Sequence, residues 1–220
     1  MPTHYGLEVR STAGTLQIYR GAFNYVFKRK VSVPQISPDS GYGHGAEYRI
    51  VPLHPTSLLA IRPPFDVSQN GTPSSQYPYC AFAVYGSGGA PFDAWEFAPV
   101  GETDEHYGIK VWDEWGDITF NSAEHTMKIA GGLNAQFADS PLHDNYAVPA
   151  TAAGRTLAVV LRAAFWWHSA TDDRPCNTAV RLSGASFVFN RHYQPANSTP
   201  GAEFGDPNTG YLLVDITDHL

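Results

Sequence analysis

A stretch near the start of the chain recurs, without a gap, 102 residues further along. Residues 5–18 read YGLEVRSTAGTLQI and residues 107–120 read YGIKVWDEWGDITF, so that four positions are identical and three more stay apolar. A repeat at this distance constrains the fold, because a period near 100 residues matches one small domain and not one unit of a solenoid. We predict two modules related by internal duplication; the alternative is that two unrelated hairpins share a common pattern.

Both copies alternate apolar residues with polar residues or glycine. In the first copy Leu7 and Val9 are followed by a turn that ends at Gly14, and the alternation then resumes. The second copy repeats this around Gly116. A period of two indicates a strand with one buried and one wet face, and a glycine at the end of the turn permits a positive φ. Each copy therefore predicts a β-hairpin.

The remainder of the chain also favours strands over helices. Short apolar segments are separated by many of the 20 glycines and 17 prolines, and residues 60–62 (AIR) match residues 160–162 (VLR) at an offset of 100. The glycine-rich and proline-containing stretch 131–155 is predicted to be a loop. The sequence thus predicts an all-β fold of two tandem β-sandwich modules, jelly-roll or Ig-like, with residues 1–103 in the N-terminal module and 104–220 in the C-terminal module.

Charge is distributed unevenly between these parts. Residues 1–103 hold seven basic and seven acidic residues, whereas residues 104–220 hold seven and fourteen, so the whole net charge of −7 belongs to the second part. This balance disfavours nucleic-acid binding, which needs a basic face. The one basic run, Lys28-Arg29-Lys30, is either a solvated strand end or a docking patch for an acidic partner, and we take these three residues as the candidate partner-docking site.

The two cysteines, Cys80 and Cys176, fall in different predicted modules. We therefore expect free thiols, which fit a chain made in a reducing cytoplasm. Residues 1–5 do not resemble a signal peptide, and no apolar run approaches membrane-spanning length, so no membrane insertion is expected.

No catalytic or metal-binding motif stands out. The nine histidines form no zinc-type spacing with one another or with cysteine, and the sequence has no nucleophile elbow and no phosphate-binding loop. Asp113, Glu114 and Asp117 could serve glycoside hydrolysis as paired carboxylates, but they fall on a turn where polar residues are common. The prediction is that the protein is not an enzyme and uses no metal or cofactor, with a hydrolase as the least favoured alternative.

Tryptophans carry the strongest indication of binding. Trp112 and Trp115 lie in the second hairpin and have no aromatic counterparts in the first, and alternation points Trp112 away from the apolar face. Trp166 and Trp167 are adjacent, so a strand would place them on opposite faces. These four residues are candidate surface or ligand contacts; the alternative is that they pack under neighbouring loops.

Four short motifs carry a resemblance to a known family: the openings Tyr5-Gly-Leu-Glu-Val and Tyr107-Gly-Ile-Lys-Val, the triplet Phe120-Asn-Ser and the strand Leu59-Ala-Ile-Arg-Pro. In these motifs the chain resembles small tail-tip or minor tail proteins of long-tailed, siphovirus-type bacteriophages. The family's usual triplet has Asp where this chain has Asn121, and the first copy departs from it at residues 18–20. The resemblance implies a virion component without enzyme activity.

The expected function is therefore structural: a component of a phage tail tip or fibre-attachment region, assembled in the bacterial cytoplasm and located in the virion. It would dock to other tail proteins, such as the hub, central fibre or tail-tip proteins, and could contact a host surface glycan. Analogy with threefold tail tips favours a homotrimer. The alternative function is a carbohydrate-binding β-sandwich module.

Overall fold

The structure is a computed structural model. It describes residues 6–11, 14–19, 24–37, 46–71, 73–75, 77–85, 90–101, 108–113, 115–136, 145–161, 167–168, 175–193 and 208–220. The description below concerns these residues, and for residues 6–19 it covers the backbone alone.

Almost all of the regular structure consists of β-strands. These are β1 (Gly6–Ser11), β2 (Gly14–Tyr19), β3 (Tyr25–Val33), β4 (Gln35–Ser37), β5 (Glu47–Ile50), β6 (Leu58–Ile61), β7 (Asp66–Gly71), β8 (Cys80–Tyr85), β9 (Phe92–Pro99), β10 (Lys110–Trp112), β11 (Ile118–Asn121), β12 (Lys128–Gln136), β13 (Tyr146–Pro149), β14 (Thr151–Ala152), β15 (Arg155–Leu161), β16 (Trp167–His168), β17 (Pro175–Ser183), β18 (Ser186–Tyr193) and β19 (Asn208–Asp215). A short 3-10 helix, Thr217–His219, follows β19.

The strands form two large antiparallel sheets and two separate hairpins. The seven-strand sheet has the order β12-β19-β15-β6-β9-β3, with β14 paired to β15, and the eight-strand sheet has the order β13-β18-β17-β7-β8-β5-β4, with β16 paired to β17. Strands β1–β2 and β10–β11 form the hairpins that the repeat predicted. The all-β prediction is confirmed.

Strands from both predicted modules share each large sheet. The modules meet where β6 pairs with β15, with Val160 opposite Ala60, and where β7 pairs with β17, with Val180 opposite Val67. Outward from these central pairs the order is mirrored: β6, β9, β3 against β15, β19, β12 in one sheet, and β7, β8, β5 against β17, β18, β13 in the other. The tandem duplication is not confirmed by this arrangement alone, and the boundary after residue 103 stays a prediction.

The main hydrophobic core lies between the two sheets and draws on both predicted modules. Alternate residues of each strand point into it, as the pleat requires. Fully burying a large apolar side chain here contributes about 1.5–3 kcal/mol. The largest fully buried side chains of this core are Tyr48, Phe82, Phe187, Phe189, Ile61 and Leu157.

The seven-strand sheet is buried on its other face as well, which period-two reasoning did not predict. Its second cluster contains Trp95, Phe97 and Val214, and residues 157–161 of β15 are buried without a break. The C-terminal 3-10 helix covers part of this face: the indole of Trp95 donates to the carbonyl of His219 at 2.8 Å. Strands covered on both faces read as continuous apolar runs, so alternation is lost.

The predicted loop at 131–155 is wrong for a large part of its length. Strand β12 continues through Gly131 and Gly132 to Gln136, and β13 and β14 follow within the same stretch. Gly132 lies so close to its neighbour that a Cβ would stand 2.6 Å from the carbonyl oxygen of Tyr211. Here glycine permits two strands to approach closely and does not signal a loop.

Candidate functional site

The second hairpin, β10–β11, differs in register from the first. Strands β1 and β2 pair without interruption up to Ser11 and Gly14. In the second hairpin a bulge shifts the register, so that Val111 faces Phe120 but Trp112 faces Ile118. Bulges interrupt strict alternation and re-aim side chains. The two copies therefore share a hairpin but not its geometry.

The loop of this hairpin spans residues 113–117 and is held by one carboxylate. Asp113 Oδ1 accepts hydrogen bonds from the backbone N–H groups of Trp115 and Asp117, each at 2.9 Å. Gly116 has φ of +89°, as the predicted glycine turn requires. Asp113 thus acts as an Asx-type turn former, which is the ordinary use of an acid at this place.

Both tryptophans of the hairpin are exposed. Trp112 is 52% exposed, as an outward side chain should be, and Trp115 is 74% exposed. Ile109 is also 55% exposed, although alternation placed it on the buried face. Opposite them, Ile118 and Phe120 are buried, so the hairpin has one anchored strand and one aromatic, solvent-facing strand. Their role as ligand contacts stays a prediction.

A cleft of about 700 Å³ lies between the turn of this hairpin and the segment that follows β5. Its wall on the hairpin side is formed by residues 116–118, and its other walls come from the first predicted module. Its volume lies in the range of small-molecule sites. The lining residues are Tyr25, His54, Thr56, Pro99, Val100, Gly101, Gly116, Asp117 and Ile118.

The polar side of the cleft is ordered by local hydrogen bonds. His54 Nδ1 accepts from the backbone N–H of Thr56 at 3.2 Å and lies 2.9 Å from the Thr56 hydroxyl. Because Nδ1 accepts, Nε2 carries the proton of the neutral ring and is the donor available to a ligand. The Tyr25 hydroxyl donates to the Thr56 carbonyl at 3.2 Å, which ties this segment to β3.

Each member of the predicted docking run forms an ion pair within the chain. Lys28 pairs with Glu124 at 2.5 Å, and Lys30 pairs with Asp93 at 3.1 Å. Arg29 Nε donates to Glu96 Oε2 at 2.7 Å. Glu96 is fully buried, so its pair with Arg29 has a structural role. An acidic partner that docks to this run would have to compete with these three carboxylates.

The second tryptophan pair is described in part. Trp166 lies outside the described residues. The backbone of Trp167 pairs with Cys176 between β16 and β17, but its side chain lies outside the description.

The first cysteine, Cys80, is a buried free thiol. Burial and the nearby charge of Glu96 raise the pKa of Cys80 to about 11, so it stays protonated at neutral pH.

A polar cluster that the sequence did not reveal joins the two halves of the eight-strand sheet. Asp66 on β7 accepts hydrogen bonds from Arg181 on β17 (3.2 Å to Oδ2) and from Asn190 on β18 (3.1 Å to Oδ1). His192 Nε2 lies 2.9 Å from the same carboxylate, and its ring stacks on Tyr85 at 4.1 Å. The partners are more than 100 residues from Asp66 in sequence, so no local pattern could indicate the cluster.

The electrostatics of this cluster favour the charged form of Asp66. Burial acts to raise the pKa of Asp66, but hydrogen bonds from His192 and Asn190 and the charges of His192 and Arg181 outweigh it and lower the pKa below its ordinary value. All described partners of the carboxylate donate to it. The cluster thus links β7 to β17 and supplies the Asp66 carboxylate with hydrogen-bond donors.

An apolar cavity of about 460 Å³ lies beside the β6–β15 junction, between Leu59, Leu161, Tyr211 and Cys80. Among the described residues no group of three or more His, Cys, Asp or Glu side chains is placed to hold a metal ion. No described helical segment has the length and apolarity needed to cross a membrane.

Comparison of the chain with protein-family models, with curated proteins and with solved structures returned no match. The resemblance to phage tail proteins therefore depends on the short sequence motifs alone.

Proposed function

We propose that this protein is a non-enzymatic structural component of a phage tail tip or fibre-attachment region, which binds other molecules through its surface. The observation that supports this best is the second hairpin, where Trp112 and Trp115 are exposed on an anchored β-hairpin. Exposed aromatic side chains on a rigid support are typical of contact surfaces. In the virion, copies would form a homotrimer that docks to tail proteins.

The proposal includes an internal duplication of the scaffold. In its support, both large sheets have a mirrored strand order around a central pair of corresponding strands. Strand β3 has a bulge between Phe27 and Arg29, and β12 has one between Ile129 and Gly131, again 102 residues apart. Bulges tend to persist within families, so a shared bulge is a specific mark of common origin. The copies would then be two sandwich halves lying side by side, with both sheets continuous between them.

The test is the location of the chain in purified virus particles from the host that carries the gene. We expect mass spectrometry to find the chain in the particles, and labelled antibodies to mark one end of the tail. Intact particles without the chain would refute the proposal.

Docking through the basic run has its own test. Lys30→Glu should lower incorporation into particles, because Lys30 and its partner Asp93 are both substantially exposed and the fold should tolerate the change. The matched control is Lys128→Glu, since Lys128 is an exposed lysine that pairs with the exposed Asp218. Equal incorporation of both variants would exclude docking through Lys30.

A carbohydrate-binding module is the second candidate function. It is favoured by the cleft beside the hairpin, which joins polar side chains to a turn that bears an exposed tryptophan.

A further inference from the structure

The second hairpin departs from the first at several positions that face solvent. Trp112 and Trp115 stand where the first copy has Arg10 and Ala13. The bulge at residues 111–112 and the loop at 113–117 also belong to the second hairpin, whereas the first has a continuous register. Exposed aromatics reduce solubility, so their concentration on one hairpin points to binding and not to packing.

The hydrogen-bonding capacity of the cleft is unfilled. Among the described residues the Asp117 carboxylate has no side-chain partner, and no contact is described for His54 Nε2. The cleft therefore offers the Asp117 carboxylate as an acceptor and His54 Nε2 as a donor, next to the turn that bears the exposed Trp115.

We infer that this cleft, between residues 116–118 and the 54–56 segment, binds a pyranose ring of a neutral or amino sugar. Trp115, which is exposed and directly precedes the lining residue Gly116, provides the stacking face, and Asp117 and His54 Nε2 hydrogen-bond the hydroxyl groups. A sugar ring combines apolar C–H faces with hydroxyl donors and acceptors at its edge, which matches an exposed indole beside polar groups. The inference extends the surface-binding role proposed above and rests on it.

The negative charge in and around the cleft limits the class of sugar that it would bind. The described lining contains the Asp117 carboxylate and no lysine or arginine, and the segment 104–220 carries the whole net negative charge of the chain. An anionic sugar would meet like charge without a cationic partner. Neutral sugars and amino sugars are therefore preferred over sialic or uronic acids.

The experiment titrates the full chain with N,N′,N″-triacetylchitotriose, maltotriose and 3′-sialyllactose by calorimetry and tryptophan fluorescence. We expect one of the neutral trisaccharides to bind with Kd on the order of 1 mM or tighter. Trp115→Ala should weaken this binding about tenfold or more, and Asp117→Asn should weaken it severalfold. The control is Tyr77→Ala, which removes an exposed aromatic outside the cleft and should leave binding unchanged.

Three results would overturn the inference: no binding of either neutral trisaccharide up to about 10 mM, binding that survives Trp115→Ala and Asp117→Asn, or a preference for sialyllactose. The variants should fold, because Trp115 and Asp117 are exposed, and near-ultraviolet circular dichroism checks this. The location of the chain in virus particles is measured separately, so failure to bind sugars would leave the tail proposal standing.

Discussion

Replacing Asp66 by Asn should destabilise the whole molecule, because the carboxylate links β7 of one half to β17 and β18 of the other. The amide keeps the shape but places an N–H₂ group against donors from Arg181, Asn190 and His192. Hydrogen bonds to a charged group contribute about 1.5–3 kcal/mol each. Arg181 and His192 are partly exposed, so water offsets some of the loss. We expect a net loss of about 2–4 kcal/mol in the free energy of unfolding.

Urea unfolding at neutral pH, followed by circular dichroism, measures this loss as a lower midpoint at unchanged slope. The matched control is Asp93→Asn, since Asp93 pairs with Lys30 on the surface with its side chain 48% exposed. An exposed pair contributes about 0–1 kcal/mol. If Asp66→Asn costs no more than Asp93→Asn, the Asp66 cluster does not hold the halves together.

The effect of Asp66 should also depend on pH in one direction. Its folded-state pKa is lowered from the ordinary value of 3.8, so its contribution is fully present above that value and is lost as pH falls through the folded-state pKa. The stability gap between the native chain and Asp66→Asn should therefore be smaller at about pH 3 than at about pH 5. An equal or larger gap at the lower pH would refute the assigned cause.

Two further predictions concern single residues. Gly132→Ala should lower the free energy of unfolding by about 1–3 kcal/mol, since its Cβ would meet the Tyr211 carbonyl oxygen at 2.6 Å. Gly131→Ala should cost little, because its nearest contact would be at 3.8 Å. Urea unfolding compares the two variants, and equal losses of stability would contradict the packing argument. Cys80 should react with a thiol reagent at neutral pH far more slowly in the native chain than in urea, because it is buried and its pKa is raised to about 11. Labelling of Cys80, followed by mass spectrometry, measures the two rates. Equal rates would show that the structure around Cys80 opens readily.

The sequence predicted those features of the fold that depend on neighbouring residues. The alternation around Val9 and Val111 correctly indicated hairpins, and the glycine turn at Gly116 has the positive φ that it requires. The reasoning failed at Gly131 and Gly132, where glycine serves close strand contact instead of a turn. Segments without alternation, such as residues 157–161, were still identified as strands, but the sequence did not predict that the seven-strand sheet is covered on both faces.

The candidate site was predictable only in part. The unmatched tryptophans marked the hairpin, since Trp112 and Trp115 had no aromatic counterparts in the first copy. The cleft beside them joins four segments separated in sequence, including those of His54 and Asp117, and no local pattern indicates that these come together. The charges of the basic run were visible in the sequence, but not their partners on other strands.

By itself, the sequence determined that this chain forms strands and turns, because such properties follow from spacing, side-chain type and backbone freedom over a few residues. That Trp112 and Trp115 are exposed, and not packed under a loop, was decided by the tertiary structure. The tertiary structure decided that residues 60 and 160, similar in sequence, face each other across a sheet junction. It also decided that Asp66 finds its partners on the far half. Those outcomes depend on contacts between distant segments, whose free energy no single segment encodes.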